Sequence, residues 1–169
     1  MIDRLFLDFS IQKLQQAAGR VDECLARLTE EQVWARGSAN ENAIGNLVLH
    51  LCGNVNQWLV CGVGGQENHR DRDAEFAAQG GTSLPALRDK LRSTVEAATT
   101  VIQRQTAEQL PRPLQIQNYD VTGITAIYHV VEHFAGHAGQ IIFATKMLTG
   151  DDLGFYKHLR YESHKESTP

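Results

Sequence analysis

Four long segments of this chain repeat their apolar residues every three or four positions, and no segment alternates convincingly as a strand, so the chain must bury helix faces against one another. In the first segment Leu7, Ile11, Leu14, Ala18, Val21, Leu25 and Leu28 form one seam, which predicts a helix from about Ile2 to Leu28. Thr29 followed by Gln32 has the form of a capping box for a short turn. A second helix starts near Asn40 or Asn42, carries Ile44, Leu47, Val48, Leu51, Val55, Trp58 and Leu59 on one broad face, and ends at Gly62, Gly64 and Gly65. Ser83 is the N-cap of a third, with Pro85 in its first turn and Leu84, Leu87, Leu91, Val95, Ala98 and Ile102 facing inward. Pro111 and Pro113 close off the stretch after this helix. The fourth opens after Thr122, and its seam runs through Ile124, Ile127, Val131, Phe134, Ala138, Ile141, Thr145 and Leu148 to Gly150.

The expected fold is all-α, a four-helix bundle. A chain of 169 residues is expected to form one domain spanning 1–169, large enough to bury a core without staples. The stretch from Gly62 to Thr82 greatly exceeds the roughly 2 to 8 residues usual between antiparallel bundle neighbours. A crossover between helices 2 and 3 that lets them run parallel explains that length; an excursion covering a pocket explains it equally.

Charge and composition exclude some functions. The net charge is -4 and no cluster of Lys and Arg appears, which argues against a nucleic-acid surface. No apolar run approaches the ~20 residues that span a bilayer, so no membrane segment is expected. The N-terminus shows no secretory h-region, and the expected location is cytoplasmic. The three cysteines Cys24, Cys52 and Cys61 are odd in number and form no C-x-x-C pair, which suits reduced thiols packed in the core.

The chemistry is concentrated in His129-Val-Val-Glu-His133-Phe-Ala-Gly-His137-Ala-Gly-Gln140. Residues four apart lie on one face of a helix, so three imidazoles and an amide line a single stripe. Two histidines one turn apart supply two cis positions of a metal's coordination sphere and need a third ligand from elsewhere. Helix 2 contains one histidine, His50, near its middle, as His133 and His137 are near the middle of theirs, so a bundle can bring all three to one level.

A mid-helix-2 histidine followed by H-x-x-x-H-x-x-x-H-x-x-Gln on a late helix resembles the DinB/YfiT-like superfamily of metal-dependent enzymes, over essentially the whole chain. Asn46-Leu-Val-Leu-His50-Leu-Cys-Gly-Asn54 and Arg70-Asp-Arg-Asp-Ala-Glu-Phe76 resemble one branch of it. The resemblance implies an up-down-down-up bundle and a divalent metal held by His50, His133 and His137. His129 lies ~6 Å along the axis from His133 by the helical rise, which suits a pocket-lining role and reaches the metal only if the site is stretched. Gln140 either hydrogen-bonds a ligand or its neighbour or is a plain packing amide, and Glu132, about 100° round the helix from His133, reads as an exposed or ion-paired residue.

Three neutral nitrogens leave such a metal dicationic and coordinatively open, and they suit Zn or Ni, with Fe or Cu also admissible. Characterised relatives that the chain resembles include thiol-dependent transferases and isomerases and a metal-dependent hydrolase. The expectation is therefore transfer of a low-molecular-weight thiol to a small electrophilic substrate, with hydrolysis or a non-catalytic metal-binding module as alternatives. Asn46 and Asn54, one turn either side of His50, either orient ligand or substrate or bridge helices. Arg70 and Arg72, among Asp71, Asp73 and Glu75, form either a solvated charge cluster or a clamp for a cofactor or substrate carboxylate. A homodimer is expected from the seam-rich first helix and from the habit of the resembled family.

Overall fold

The computed structural model describes residues 1–157. Among them the order is α1 (Ile2–Leu25), α2 (Glu30–Trp34), α3 (Ile44–Val55) continuing into π-helical turns over Asn56–Val63, α4 (Arg72–Ala77), α5 (Leu84–Gln103), β1 (Pro113–Ile116), β2 (Tyr119–Thr122) and α6 (Gly123–Thr149). The fold is mostly helical, as the seams require. α1 packs against α5 and α6, and α3 packs against the same two. The seams meet in a core that includes Leu14, Leu51, Leu59, Leu87, Ile127 and Phe134, all fully buried.

The helix ends follow local chemistry. Thr29 and Gln32 form the reciprocal capping box of α2. Ser83 caps α5, Thr122 caps α6, and Gly150 takes the left-handed conformation, at φ 72°, that closes α6. α1 stops at Leu25 rather than Leu28, because Arg27 and Leu28 bond back to Cys24 and Leu25 in tighter i to i+3 turns. Leu28 stays buried all the same. The second long helix starts at Ile44, later than Asn40 or Asn42, where the Asn46 side chain turns back to accept a bond from the Ala43 N–H at 3.0 Å.

Other expectations fail: Ile124 and Leu148, read as part of the fourth seam, are exposed near the two ends of α6, and the chain does form strands. Residues 113–122 form an antiparallel hairpin, with Pro113 opposite Thr122 and Ile116 opposite Tyr119. Its two-residue turn puts Gln117 at φ 52° and Asn118 at φ 65°, the paired positive φ angles that match the twist of the flanking strands. Each strand is only four residues long and the turn has no glycine, so neither alternation nor turn signal stands out in the sequence. Ile116 seats the hairpin against Gly62 of the π-helical turns, where any Cβ would overlap the Ile116 side chain.

The segment between α3 and α5 lies back over α3. Asp71 caps α4, and Asn46 donates to the carbonyls of Glu75 at 2.9 Å and Ala78 at 2.7 Å. Arg36 adds bonds to the carbonyls of Phe76 and Ala78 at 2.9 and 3.0 Å. Asn46, fully buried, thus joins this segment to α3.

The hairpin turn can be tested directly. Asn tolerates the left-handed region and a β-branched residue does not, so Asn118→Val should destabilise the protein by about 1–2 kcal/mol, while Asn118→Gly should be neutral or stabilising. Urea unfolding of the two variants measures the difference.

Candidate metal centre

His50 projects from the middle of α3, and His133 and His137 project one turn apart from the middle of α6. One ring nitrogen from each lies within 4.8 Å of the other two, the group of this kind found among the described residues. The Nε2 atoms of His50 and His133 are 3.2 Å apart. The His137 ring stands edge-on to both, with centroids 5.0 and 4.5 Å away.

The far side of each ring is distinct. His50 Nδ1 lies 3.1 Å from Glu75 Oε2. With a hydrogen on Nδ1 the ring donates to that carboxylate and leaves Nε2 as a bare lone pair; Arg70 Nη2 also stands 3.0 Å from Nδ1, a donor that the other tautomer would accept. His137 Nδ1 bonds Gln140 Oε1 at 2.8 Å, which frees its Nε2 in the same way. His133 Nδ1 is buried without a hydrogen-bond partner, as is Asn54 Oδ1.

Glu75 is held by Arg70, whose Nε and Nη2 donate to its two oxygens at 2.7 and 2.8 Å. Arg70 Nη1 also donates to Gln57 Oε1 at 2.9 Å, and its side chain is only 3% exposed. Arg70 and Glu75 are therefore no solvated cluster, and the fork of Arg70 is occupied within the protein. Gly53 makes the pair possible: a Cβ there would sit 2.7 Å from Arg70 Nε and overlap the Glu75 carboxylate. Arg72 takes a different path, with its guanidinium 4.9 Å from the Phe76 ring centre and its side chain on the wall of the cavity over the histidines.

That cavity, of about 470 Å³, is lined by His50, His133, His129, Asn54, Trp58, Arg70 and Arg72, by the hairpin residues Gln117, Tyr119 and Val121, and by Thr125 of α6. His129 stacks on Trp58 with centroids 4.1 Å apart, beside the three-histidine group and outside it. Trp58 Nε1 donates to Gln117 Oε1 at 3.0 Å. Glu132 is exposed on another face. Cys24, Cys52 and Cys61 are buried free thiols, and burial pushes the Cys52 thiol up to about 11. Among the described residues no helix is long and apolar enough to cross a membrane.

Burial, and then the neighbouring charges of His137, His50, His129 and Arg70, push His133 down to about 3. Burial lowers His137 against the opposing bond to Gln140, and lowers His129 against Glu132. Burial raises the Glu75 carboxyl, but the bonds from Arg70 and His50 outweigh it and hold the group below its ordinary range. Imidazoles held back from protonation at His133 and His137 suit a divalent cation. Two histidine nitrogens ~2.0–2.1 Å from one tetrahedral ion stand about 3.3–3.4 Å apart, close to the separation of the two Nε2 atoms, so the three histidines could hold a metal ion.

Sequence reasoning missed Glu75, Gln57 and the hairpin residues of the wall. Glu75 stands five residues from Arg70, a spacing that no regular helix brings together, and a short helix following a turn is what places them in contact.

The depressed histidines predict a pH dependence for the metal-free protein. Histidines of the unfolded chain titrate near ~6.5, so between that pH and about 3 the unfolded state binds protons that native His133 refuses. Stability from this group should be complete above pH ~6.5 and fall as the pH drops through that window. Urea unfolding at pH 5 and 7 measures it, and His133→Asn should narrow the gap between the two.

The sequence of residues 1–159 matches a family described as "Protein of unknown function (DUF1572)". No curated protein matches it. Solved structures similar to this chain include a conserved protein from Enterococcus faecalis, with a TM-score of 0.73 at 16% identity, covering 85% of this chain and 97% of that one. A DinB-like protein from Bacillus subtilis gives a TM-score of 0.68 at 15% identity, over 87% of this chain and 96% of that one. A mutant of mycothiol-dependent maleylpyruvate isomerase gives 0.57 at 11% identity, over 82% and 67%. At these identities the likeness is one of fold.

Proposed function

We propose, starting from a chain that belongs to this DUF1572 family and to the DinB/YfiT-like superfamily, that it is a metal-dependent enzyme in which His50, His133 and His137 hold a divalent transition metal and a low-molecular-weight thiol is transferred to a small electrophile. Its four long helices run up-down-down-up in this reading, in one cytoplasmic domain. The observation that carries it is the convergence of three imidazoles, two of which, those of His50 and His133, line a cavity. The fold likeness to an enzyme named as mycothiol-dependent favours the thiol over water as the activated group.

Zn or Ni is the first choice for three nitrogen ligands, with Fe as a further one. Such an ion supplies Lewis acidity that deprotonates a thiol near neutral pH. The chain does the rest. Glu75, held by Arg70, positions the His50 ring from its Nδ1 side, and Gln140 accepts from His137 Nδ1 and leaves the Nε2 lone pair of that ring free. Burial keeps His133 from taking a proton that would compete with the ion. His129 and Trp58 close one side of the cavity against water.

Elemental analysis should find one metal per chain, lost when His50, His133 or His137 is changed singly to Ala and retained in His129→Ala. Full occupancy in His50→Ala would remove α3 from the site. Adding a small thiol to Co-loaded protein should shift its visible spectrum, and a panel of thiols that leaves it unmoved would overturn the thiol reading.

A further inference from the structure

The walls of the cavity over the histidines differ in character from its floor, and they select a ligand. No acidic side chain among the described residues lines it, although the chain as a whole carries a net charge of -4. Glu75 approaches His50 from behind, where Arg70 neutralises it. Arg72 is the lining residue whose charge remains for a ligand: its guanidinium rests on Phe76 instead of in the carboxylate grip that occupies Arg70. A cavity with a cationic wall and no anionic one favours an anion, and a planar guanidinium favours a carboxylate by offering two parallel N–H donors.

Another part of the wall is aromatic. Trp58 is 4% exposed, bonded through its indole N–H to Gln117 and covered on one side by His129. Tyr119, at the tip of the hairpin and 62% exposed, holds its ring 6.4 Å from that of Trp58 with 33° between the planes. Sandwiching a flat group takes twice the carbon contact distance, about 7 Å, so a small shift of the exposed Tyr119 opens the gap. A volume of about 470 Å³ lies within the range of sites that take small molecules.

We infer that this cavity binds a planar carboxylate, an aromatic or conjugated acid, with Arg72 receiving the carboxylate and the Trp58 and Tyr119 rings its flat face. The inference rests on the proposed reading of the cavity as the substrate side of the metal site. It adds what that reading lacks, the chemical class of the electrophile.

The test uses the full chain carrying Trp34→Phe, so that Trp58 is the reporting tryptophan. Benzoate, cyclohexanecarboxylate, benzamide and benzylamine are titrated by fluorescence and calorimetry, in metal-loaded and metal-stripped protein. Benzoate should bind about tenfold or more tighter than either the saturated acid or the neutral amide, as a charge-assisted bond of ~1.5–3 kcal/mol implies for the amide comparison. Arg72→Gln should remove the advantage over benzamide without changing metal content. Tyr119→Leu, an exposed change that spares the core, should shrink the advantage over cyclohexanecarboxylate. Benzoate binding no tighter than benzamide, or unaltered by Arg72→Gln, would overturn the inference even with the metal in place. Tight benzoate binding by stripped protein that never takes up metal would uphold the ligand class and sink the metal reading alone.

Discussion

The ion pair of Arg70 with Glu75, buried behind His50, is the interaction on which the rest of the site depends. Burying two charges is unfavourable unless geometry and further hydrogen bonds compensate, and here both forks are used, with Gln57 and His50 taking the remaining valences. Removing one partner from such a pair typically costs about 3–5 kcal/mol, because the other is left charged and unmatched. The pair also fastens the segment between α3 and α5 onto α3, together with the bonds from Asn46 and Arg36. One arrangement of charges therefore sets the position of a long connection and of a histidine ring.

That arrangement explains a glycine with no turn to make. Gly53 lies inside α3, where glycine is destabilising by roughly 0.5–1 kcal/mol relative to alanine. A methyl group there would displace the Glu75 carboxylate, which lies against this backbone. The helix gives up some intrinsic stability so that a carboxylate can reach the ring of His50. Beyond Val55 the same helix widens into π-helical turns, a form frequent at functional sites, and these carry Trp58 and receive the hairpin at Gly62. The outer wall of the cavity is built from this irregular stretch.

Which parts of the molecule were legible in the sequence depends on which interactions are periodic. The seams of α1, α3, α5 and α6 repeat with the helix and were readable, as were the caps at Thr29, Ser83, Thr122 and Gly150. The histidine stripe was readable for the same reason, and His50 stood out as the lone histidine of its helix. The hairpin was not, because its four-residue strands and Gln117-Asn118 turn fall below any pattern threshold. Nor was the Arg70–Glu75 pair, since charges that alternate along a loop look solvated until a fold buries them. Local periodicity reveals the scaffold and the floor of the site, whereas its walls come from contacts between segments far apart in the chain.

The division of labour between floor and scaffold has a thermodynamic consequence. In small domains that lack a sufficient core, metal binding and folding are one event, because no site exists before the ion arrives. Here Leu14, Leu51, Leu59, Leu87, Ile127 and Phe134 already close a core that involves α1, α3, α5 and α6. The imidazoles meet at its margin, and the far sides of His50 and His137 are held by Glu75 and Gln140, which belong to the protein's own network. The three rings are thus positioned by packing and hydrogen bonds that no ion has to create. Binding energy from an ion at this site would add to a folded state already formed.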